Sequence, residues 1–545
     1  MATPKGKTAK TRARKKSQGK KKQKKKQTAL SDHDLDSALD IFFVDGSCEP
    51  DAVPDCEPAN IDPSDIDDAA DLFFKADGLE SDIDGFTDIE PDESEPDDVM
   101  RMIVLEMINQ LPSADFLNLV STWRTLANMP QPIPSGSGCT GSGMDHRVLT
   151  GIADVMEELT GIKVQFGASL VCESDPQKMM WLQHYLDPSC CEDDVCSLAD
   201  STSAPTDLFA FNFGFSCKDL STLNRFSTHF RDECLDTERD VSSRGTTGKT
   251  WAGCLGFVAV IKPLILWIEN VRAALQGKNW SRIEQDLKEQ GYTVVGVCLN
   301  TAKYGIPHRQ RAYIVAVHNR MPVYNMDRCK ELILHLECTP YPIEAFLLSD
   351  NHPYIKEFME KKRNKVALMQ AKAQLQVNPK KVSKRWIVDH WKTRRNLNLR
   401  VHSHAAVEKA EAITTLNALT AREQDMLNMV CSMPVAMHQH ASLELKHSAS
   451  RVLKHGKTVR HETTCLLPSS RMLLLQHQPQ RLLTGLEALH MQGIPVPAML
   501  QASRADVADD KLFMSMAGNA FSSGPCAAVM IATLAAITLP DDLDL

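Results

Sequence analysis

A thiol and a carboxyl group each follow an apolar stretch of this chain. The apolar residues 207–213 run into a turn that carries Cys217, and residues 264–268 run directly into Glu269. A deprotonated thiol is a strong nucleophile, and a glycine turn before it with Lys218 after it favours a lowered thiol pKa. A carboxyl group beside it can supply a proton. The pattern predicts a nucleophile with a proton donor, and a buried unreactive cysteine is the alternative.

A second pair of features favours a nucleotide-type ligand. A glycine- and serine-rich turn, residues 135–143, opens a helix, where bare backbone can approach a ligand closely. The next apolar stretch, residues 165–172, ends in Glu173, whose carboxylate could accept hydrogen bonds from two ribose hydroxyls. Together they predict an adenosine-containing cofactor, with a dinucleotide and S-adenosylmethionine both open at this point.

One glycine-rich segment resembles a phosphate-binding loop without meeting its spacing. Residues 245–250 read Gly-Thr-Thr-Gly-Lys-Thr, with two residues between the glycines where four are needed, and no apolar strand precedes them. We interpret this segment as a flexible, glycine-hinged loop.

The elements that must position these groups alternate between helix and strand. Strands are expected over 165–172, 207–213, 264–268, 293–298 and 312–317, with a single helical stretch over 102–127 and helices over 147–159, 177–186, 252–261 and 281–289 between or before them. This alternation predicts an α/β fold with a mostly parallel, doubly wound sheet, whose chemistry lies at the carboxyl ends of the strands.

Charge is segregated at the start of the chain. Residues 1–27 carry thirteen Lys and Arg and no acid, and residues 28–98 carry twenty-five Asp and Glu against Lys75 alone. Neither block can bury enough apolar area to offset the cost of ordering, so residues 1–98 are expected to be a disordered tail. The basic block predicts a nuclear import signal or a nucleic-acid-binding arm, and the acidic block a protein partner.

Several classes of protein are disfavoured by the rest of the sequence. The longest apolar run, residues 253–271, is interrupted by Lys262-Pro263, so no membrane span is predicted. Sixteen cysteines without a secretory signal indicate free thiols. Cys190, Cys191 and Cys196 lack the paired spacing of a zinc site, and no metal is predicted.

Seven segments, in this order, resemble the cytosine-5 DNA methyltransferases. They are the glycine turn, Glu173, the segment 213–221 around Cys217, Glu269-Asn270-Val271, residues 304–311 (Tyr-Gly-Ile-Pro-His-Arg-Gln-Arg), and two late segments, 481–495 and Gly518-Asn519-Ala520. The resemblance covers about residues 135–320 and 464–535. It implies a Rossmann-like class I methyltransferase fold and S-adenosyl-L-methionine as cofactor.

The resemblance implies roles for four catalytic residues. Cys217 would add to carbon 6 of a cytosine flipped out of duplex DNA, which makes carbon 5 able to accept a methyl group. Glu269 would hold a proton at ring nitrogen 3, which requires its pKa to rise in a dry pocket. Arg309 and Arg311 would brace the base carbonyl and nearby phosphates with planar forked donors. The expected activity is that of a DNA (cytosine-5-)-methyltransferase.

The cofactor contacts are likewise implied by the resemblance. The turn would hold the methionine end, Glu173 the ribose, Asp194 with Val195 the adenine edge, and Asn519 with Ala520 would form the closing wall. The turn residues assigned to this role are Gly141, Ser142, Gly143, Met144 and Asp145.

Two departures from the family pattern bear on activity. Ser216 stands where the family normally has proline, so the loop before Cys217 lacks a fixed backbone angle. The glutamine that usually precedes the paired arginines is also absent. A catalytically inactive DNA- or chromatin-binding relative is therefore one alternative, and a tRNA cytosine-5 methyltransferase with the same chemistry is the other.

Between the two matching parts lies a region expected to recognise the target. Residues 356–400 carry fourteen Lys and Arg against three acids, with two tryptophans among them, which predicts a phosphate-binding face. The DNA-binding candidates are Ser221, Lys361, Lys362, Arg363, Lys384, Arg385, Trp386, Arg394 and Arg395. The predicted domains are a catalytic part over 99–320, a largely helical target-recognition region over 321–463, and a closing catalytic part over 464–545.

Overall fold

The fold is known from a computed structural model of the chain. It describes residues 98–139, 141–220, 245–305, 309–321, 323–375, 385–396, 418–432, 442–446, 466–475, 477 and 479–540. The tail predicted to be disordered lies outside these residues, apart from Asp98, whose side chain caps the first helix.

A seven-stranded sheet forms the centre of the fold. Its strands are β1 (Ile133–Gly138), β2 (Phe166–Cys172), β3 (Cys191–Glu192), β4 (Ala210–Phe213), β5 (Ile265–Val271), β6 (Tyr292–Asn300) and β7 (Gln310–His318). The strand order is β3-β2-β1-β4-β5-β7-β6, and β7 alone runs antiparallel to its neighbours. This confirms the predicted α/β class and the methyltransferase-type sheet.

Helices cover both faces of the sheet. Residues 99–335 contribute α1 (Val99–Gln110), α2 (Ser113–Asn128), α3 (Met144–Thr160), α4 (Pro176–Leu186), α5 (Gly245–Ile261), α6 (Gly277–Glu289) and α7 (Met326–His335), with β8 (Val323–Tyr324) before the last. Alternate residues of β5 face opposite sides: Ile265 and Trp267 join one buried core, and Leu266 and Ile268 the other. The sheet is therefore doubly wound, as predicted.

The later residues add a second group of elements. They are α8 (Pro353–Leu375), α9 (Arg385–Asn396), α10 (Ala421–Cys431), β9 (Ser442–Glu444), β10 (Met472–Leu474), β11 (Arg481–Leu482), α11 (Gly485–His490), α12 (Val496–Arg504), α13 (Asp510–Asn519), α14 (Ser523–Ala536) and β12 (Ile537–Thr538). Strands β9 to β11 form a small antiparallel sheet that the largely helical interpretation did not include. Strand β12 returns to pair with β8.

The glycine- and serine-rich segment before α3 is a strand and not only a turn. β1 lies between β2 and β4, although its sequence is Ile-Pro-Ser-Gly-Ser-Gly. A Cβ atom on Gly136 would lie 2.9 Å from the Leu208 side chain, so the crowded sheet requires a residue without one. Packing therefore imposes a strand where intrinsic propensity opposes it.

Two other expectations are corrected. Residues 245–250, interpreted as a flexible loop, are the first turns of helix α5. The single helical stretch expected over 102–127 is two helices, because Pro112 lies between α1 and α2.

No single described helix is long and apolar enough to cross a membrane, although α13 and α14 pass that test as a pair bent by 46°. In the same part of the chain, no group of three or more His, Cys, Asp or Glu side chains is arranged to hold a metal ion.

A buried ion pair fixes the start of the closing part. Arg481 is 4% exposed and donates through both terminal nitrogens to the carboxylate of Glu487, which is fully buried. Its Nε also donates to Asp350, at 2.6 Å, which links β11 to the loop before α8.

Replacing Arg481 with alanine should therefore destabilise the fold by about 3–5 kcal/mol, because a buried carboxylate loses its cation. The measurement is the free energy of unfolding in denaturant. The matched control is Lys303→Ala, which breaks an exposed ion pair with Glu337 and should cost less than about 1 kcal/mol. Equal losses for the two variants would contradict the prediction.

Candidate active site

The sheet brings the predicted nucleophile and proton donor to one edge. Strands β4 and β5 are parallel neighbours, with Phe213 opposite Ile268, so the residues after each strand leave at the same end. The side chain of Asn270 donates from Nδ2 to the carbonyl of Phe215 at 2.8 Å, which ties the two segments together. Cys217 is exposed there, and Glu269 is 7% exposed.

Glu269 forms an ion pair with one of the two predicted arginines. In the antiparallel pairing of β5 with β7, Val271 lies opposite Arg311, so Arg311 is a diagonal neighbour of Glu269. Arg311 Nε lies 3.1 Å from Glu269 Oε1. Burial raises the pKa of Glu269 and the guanidinium groups of Arg311 and Arg309 oppose this rise, with a net upward shift. The carboxyl group therefore keeps its proton to a higher pH than usual, as expected.

The expectation of a lowered pKa for Cys217 is wrong. Desolvation by the surrounding protein, followed by the nearby Glu269 carboxylate, raises the pKa of the Cys217 thiol, and Arg311 and Arg309 only partly oppose this. Lys218 is adjacent in sequence, but the fold buries the thiol and brings the Glu269 carboxylate near it. The proton on Cys217 must therefore be removed before the sulfur can react.

Arg309 contacts the protein backbone. Its guanidinium is 5% exposed and donates to the carbonyls of Ala520 at 2.9 Å and Gly518 at 3.1 Å. A cation at the end of α13 is favoured by the helix dipole. Arg309 thus joins the start of β7 to the segment that carries Asn519 and Ala520. Its predicted contact with a base carbonyl stays a prediction.

The loop that carries Cys217 is hydrogen-bonded to α5. The backbone N–H of Ser216 donates to Thr250 Oγ1 at 2.9 Å, and the N–H of Asp219 donates to Thr247 Oγ1 at 3.0 Å. In return, the N–H of Thr247 donates to Asp219 Oδ2 at 2.9 Å. Ser221, a predicted DNA contact, lies outside the described residues.

The predicted cofactor turn joins β1 to α3. Gly141 and Gly143 both adopt positive φ angles, +69° and +74°, which favour glycine. Ser142 and Met144 are fully buried. Asp145 is also fully buried, and its pKa rises to about 6 because desolvation outweighs hydrogen bonds from Ser137 and Asn212. Its carboxyl group lies buried in the first turn of α3, and a contact with the cofactor stays a prediction.

The remaining cofactor candidates differ in how far their side chains are exposed. Glu173 follows β2 with 8% exposure, and a Cβ atom built on Gly141 would lie 3.7 Å from its Oε2. Val195 is buried beside α5, whereas Asp194 is exposed and accepts from the Cys196 N–H at 2.9 Å. A carboxylate facing bare glycine backbone suits a ribose, so these residues fit an adenosine-containing cofactor.

The predicted closing wall lies against the nucleophile loop. Asn519 ends α13 and is exposed, and Ala520 is buried. The next residue, Phe521, packs so closely on Gly214 that a Cβ atom there would lie 2.8 Å from its ring. The wall and the loop therefore meet at the carboxyl edge of the sheet.

The structure describes most, but not all, of the predicted DNA-binding side chains on α8 and α9. Lys361 pairs with Glu357, Lys362 lies 4.8 Å from the ring centre of Phe358, and Arg363 is exposed. Arg394 donates to both carboxylate oxygens of Asp425, which holds α9 against α10. Trp386 packs against His390, and Arg395 lies over Trp391. Lys384 and the side chain of Arg385 lie outside the described residues, and DNA contact by this set stays a prediction.

Comparison with known families agrees with this geometry. The model of the C-5 cytosine-specific DNA methylases matches residues 211–523, which begin in β4 and end at α14. The match covers more than half of the chain.

The chain belongs to the C-5 cytosine-specific DNA methylase family.

Individual relatives of this methylase are distant. The DNA (cytosine-5-)-methyltransferase DMT5 of Cryptococcus neoformans var. grubii is 24% identical over 433 residues, which cover 73% of this chain and 17% of that protein. The chain thus spans less than a fifth of that relative. Among solved structures, Schizosaccharomyces pombe Dnmt2 methyltransferase has 12% identity and a TM-score of 0.38 over 74% of this chain and 98% of its own. The Entamoeba histolytica methyltransferase EhMeth has 12% identity and a TM-score of 0.39 over the same shares.

Three residues that hold the Cys217 loop were not predicted from the sequence. They are Asn270, Thr247 and Thr250. Asn270 lies inside the recognised Glu-Asn-Val segment, and its bond to Phe215 could have been expected from that position. Thr247 and Thr250 lie in the segment interpreted as a flexible loop. Their spacing of three residues places both on one face of a helix, which was the available signal.

Proposed function

We propose that this methylase transfers a methyl group from S-adenosyl-L-methionine to carbon 5 of a cytosine in DNA. The observation that carries the proposal is the Arg311–Glu269 ion pair beside Cys217 at the carboxyl edge of the sheet. The family uses S-adenosyl-L-methionine as its methyl donor. When bound, this cofactor supplies an electrophilic methyl group.

The chain's own residues account for activation of the cytosine. Cys217 loses its proton, and its thiolate adds to carbon 6, which forms a C–S bond and moves electron density toward ring nitrogen 3. Glu269, whose pKa is raised by burial, holds a proton at that nitrogen through one carboxyl oxygen, and its other oxygen accepts a hydrogen bond from the exocyclic amine. Arg311 holds the Glu269 carboxyl group in place and balances its charge once the proton has moved.

Product release reverses the addition. After carbon 5 has gained its methyl group, a base removes the proton from that carbon, the C5–C6 double bond reforms, and the C–S bond breaks to return the Cys217 thiolate. The cytosine must lie outside the helix for this geometry, which costs a few kcal/mol of unstacking. The exposed cations of α8 and α9 would offset part of that cost by binding phosphates.

The test is methyl transfer from radiolabelled S-adenosyl-L-methionine to unmethylated duplex DNA, hemimethylated duplex DNA and tRNA. We expect label in duplex DNA, at carbon 5 of cytosine. Label in tRNA alone would replace the DNA assignment with the tRNA alternative. No label in any nucleic acid would favour an inactive, DNA-binding relative.

We also propose that the lysine-rich segment 5–26 directs the protein to the nucleus. Its thirteen cations and lack of acids support this location. A fluorescent fusion of the full chain should be nuclear, and one in which these lysines and arginines are replaced by glutamine should not. An unchanged distribution would contradict the proposal.

A further inference from the structure

We propose that Thr247 and Thr250 are positioning residues that fix the Cys217 loop, in place of the proline that the family normally has before the nucleophile. We call this arrangement the threonine clamp, meaning the two Thr hydroxyls and the backbone N–H groups of Ser216 and Asp219 that donate to them. The inference rests on the proposed function, because it assigns these residues to the same reaction.

The clamp contacts the loop on both sides of the nucleophile. Thr250 binds the residue immediately before Cys217, and Thr247 binds the residue two positions after it. The two threonines are three residues apart on α5 and therefore point from one helix face. The loop also makes a turn around its second anchor, in which the Leu220 N–H donates to the Cys217 carbonyl at 3.1 Å.

The Thr250 hydroxyl is oriented as an acceptor for the loop. Its hydrogen is directed to its own helix, where Oγ1 lies 3.0 Å from the Thr246 carbonyl and 3.1 Å from the Thr247 carbonyl. The free lone pair therefore faces Ser216. A Ser or Thr side chain that bonds back to its own helix in this way has a fixed rotamer, which makes it a defined anchor.

The Thr247 contact is reciprocal. Asp219 receives the N–H of Thr247 on its carboxylate and gives its own N–H to the Thr247 hydroxyl. This is the pattern of a capping box, although here the carboxylate comes from a distant part of the chain. A negative charge at the start of α5 is also favoured by the helix dipole. Thr247 is fully buried, so both bonds are shielded from water.

The Thr250 hydroxyl is needed because residue 216 is serine and not proline. A proline at 216 would restrict φ through its ring and would carry no N–H. Serine restricts φ far less and adds an N–H that needs an acceptor. The Ser216–Thr250 hydrogen bond meets both needs, since it satisfies the donor and restrains the backbone.

The opposite side of the loop is held by the sheet. Asn270 binds the Phe215 carbonyl, so the loop is fixed to β5 through one group and to α5 through the clamp. The sulfur of Cys217 must approach carbon 6 of a base that Glu269 holds at nitrogen 3. Loss of the clamp should loosen this approach without removing a group that touches the substrate.

The principal variant is Thr250→Val, which keeps the shape of the side chain and removes the acceptor. We expect the rate of covalent complex formation with a 5-fluorocytosine duplex, and kcat for methyl transfer, to fall roughly 10- to 100-fold. KM for the cofactor and the Tm should stay close to wild type. Thr250→Ser, which keeps Oγ, should retain the rate. Thr246→Val is the control, because Thr246 is exposed on the same turn.

The decisive variants introduce proline. Ser216→Pro in the Thr250→Val background removes the N–H that has lost its acceptor and restores the backbone restraint, so we expect the rate to recover. Ser216→Pro should not rescue Thr247→Val, because that variant breaks the bond to Asp219. The proposal would be overturned if Ser216→Pro failed to restore the rate of Thr250→Val. It would also be overturned if Thr250→Val had the same rate as wild type.

Hydrogen exchange tests the clamp without relying on activity. In the full-length protein, the amides of Ser216 and Asp219 should be protected, and Thr250→Val should expose the first while Thr246→Val changes neither. Exchange unaffected by Thr250→Val would overturn the clamp. If the clamp variants behave as expected in exchange while wild type forms no adduct with any nucleic acid, the proposed function fails and the anchoring geometry stands.

Discussion

Replacing Cys217 with alanine is expected to reduce methyl transfer to background and to abolish the covalent complex with a 5-fluorocytosine duplex. The reason is that carbon 5 of cytosine becomes a nucleophile only after sulfur has added to carbon 6, so no other group can substitute for the thiol. Fluorine at carbon 5 cannot leave as a proton does, and the adduct therefore persists. The measurements are label transfer and a shifted band on a denaturing gel.

The control for this experiment is another exposed cysteine. Cys298 is exposed on β6, two strands away from β5 and opposite Ala312 of β7, and Cys298→Ala should leave both measurements unchanged. Binding of the duplex should survive in Cys217→Ala, because the loss is chemical. A covalent complex that persists in Cys217→Ala would show that sulfur 217 is not the nucleophile.

Replacing Glu269 with glutamine is expected to change two measurements in opposite directions. Methyl transfer should fall by about 10²- to 10⁴-fold, because an amide cannot deliver a proton to ring nitrogen 3. The reactivity of Cys217 toward iodoacetamide should rise, since the Glu269 carboxylate raises the pKa of the thiol and the variant lacks that charge. Misfolding would also expose the thiol and speed its alkylation, so the Tm of the variant must stay close to that of wild type.

The pH dependence of Cys217 alkylation follows from the raised pKa of the thiol. A raised pKa means that less thiolate is present at any pH below it, so the alkylation rate of Cys217 in wild type should increase about tenfold per pH unit through pH 7–8. In Glu269→Gln the same curve should move to lower pH. Alkylation is read on the peptide that contains Cys217, with Glu337→Gln, an exposed partner of Lys303, as control. A curve that moves to higher pH would contradict the assignment.

The sequence could predict which residues meet at this edge of the sheet for a simple geometric reason. In a parallel sheet, residues that end neighbouring strands meet at one edge, so Cys217 and Glu269 could be paired without knowing any distance. Glu173 could be placed near the glycine turn by the same argument. The family resemblance then supplied the roles of the two arginines, which periodicity alone does not contain.

The features that the sequence did not predict have a different cause. Each depends on residues that are distant in the sequence and close in the fold. β1 is a strand because it pairs with β2 and β4, where Leu208 and Phe211 leave no room for a Cβ atom at its glycines, although its residues after Ile133 do not favour a strand. Arg309 contacts backbone carbonyls more than two hundred residues further along the chain. The thiol pKa was misjudged because Lys218 is adjacent in sequence, whereas the burial that mainly raises the pKa and the Glu269 carboxylate that adds to it arise only from the fold.

The return of the last helix has a consequence for how the molecule is made. α14 is buried along its whole length, and Trp267 of β5 donates to Thr533 within it at 3.0 Å. Asn118 of α2 likewise donates to the carbonyl of Ala535 at 2.6 Å. Because these contacts join residues 118 and 267 to residues at least 266 positions later, one apolar face of the central sheet stays uncovered until α14 has been synthesised. Chaperones would have to shield that face until then, and the native packing of the sheet should form slowly because it depends on contacts between residues far apart in sequence.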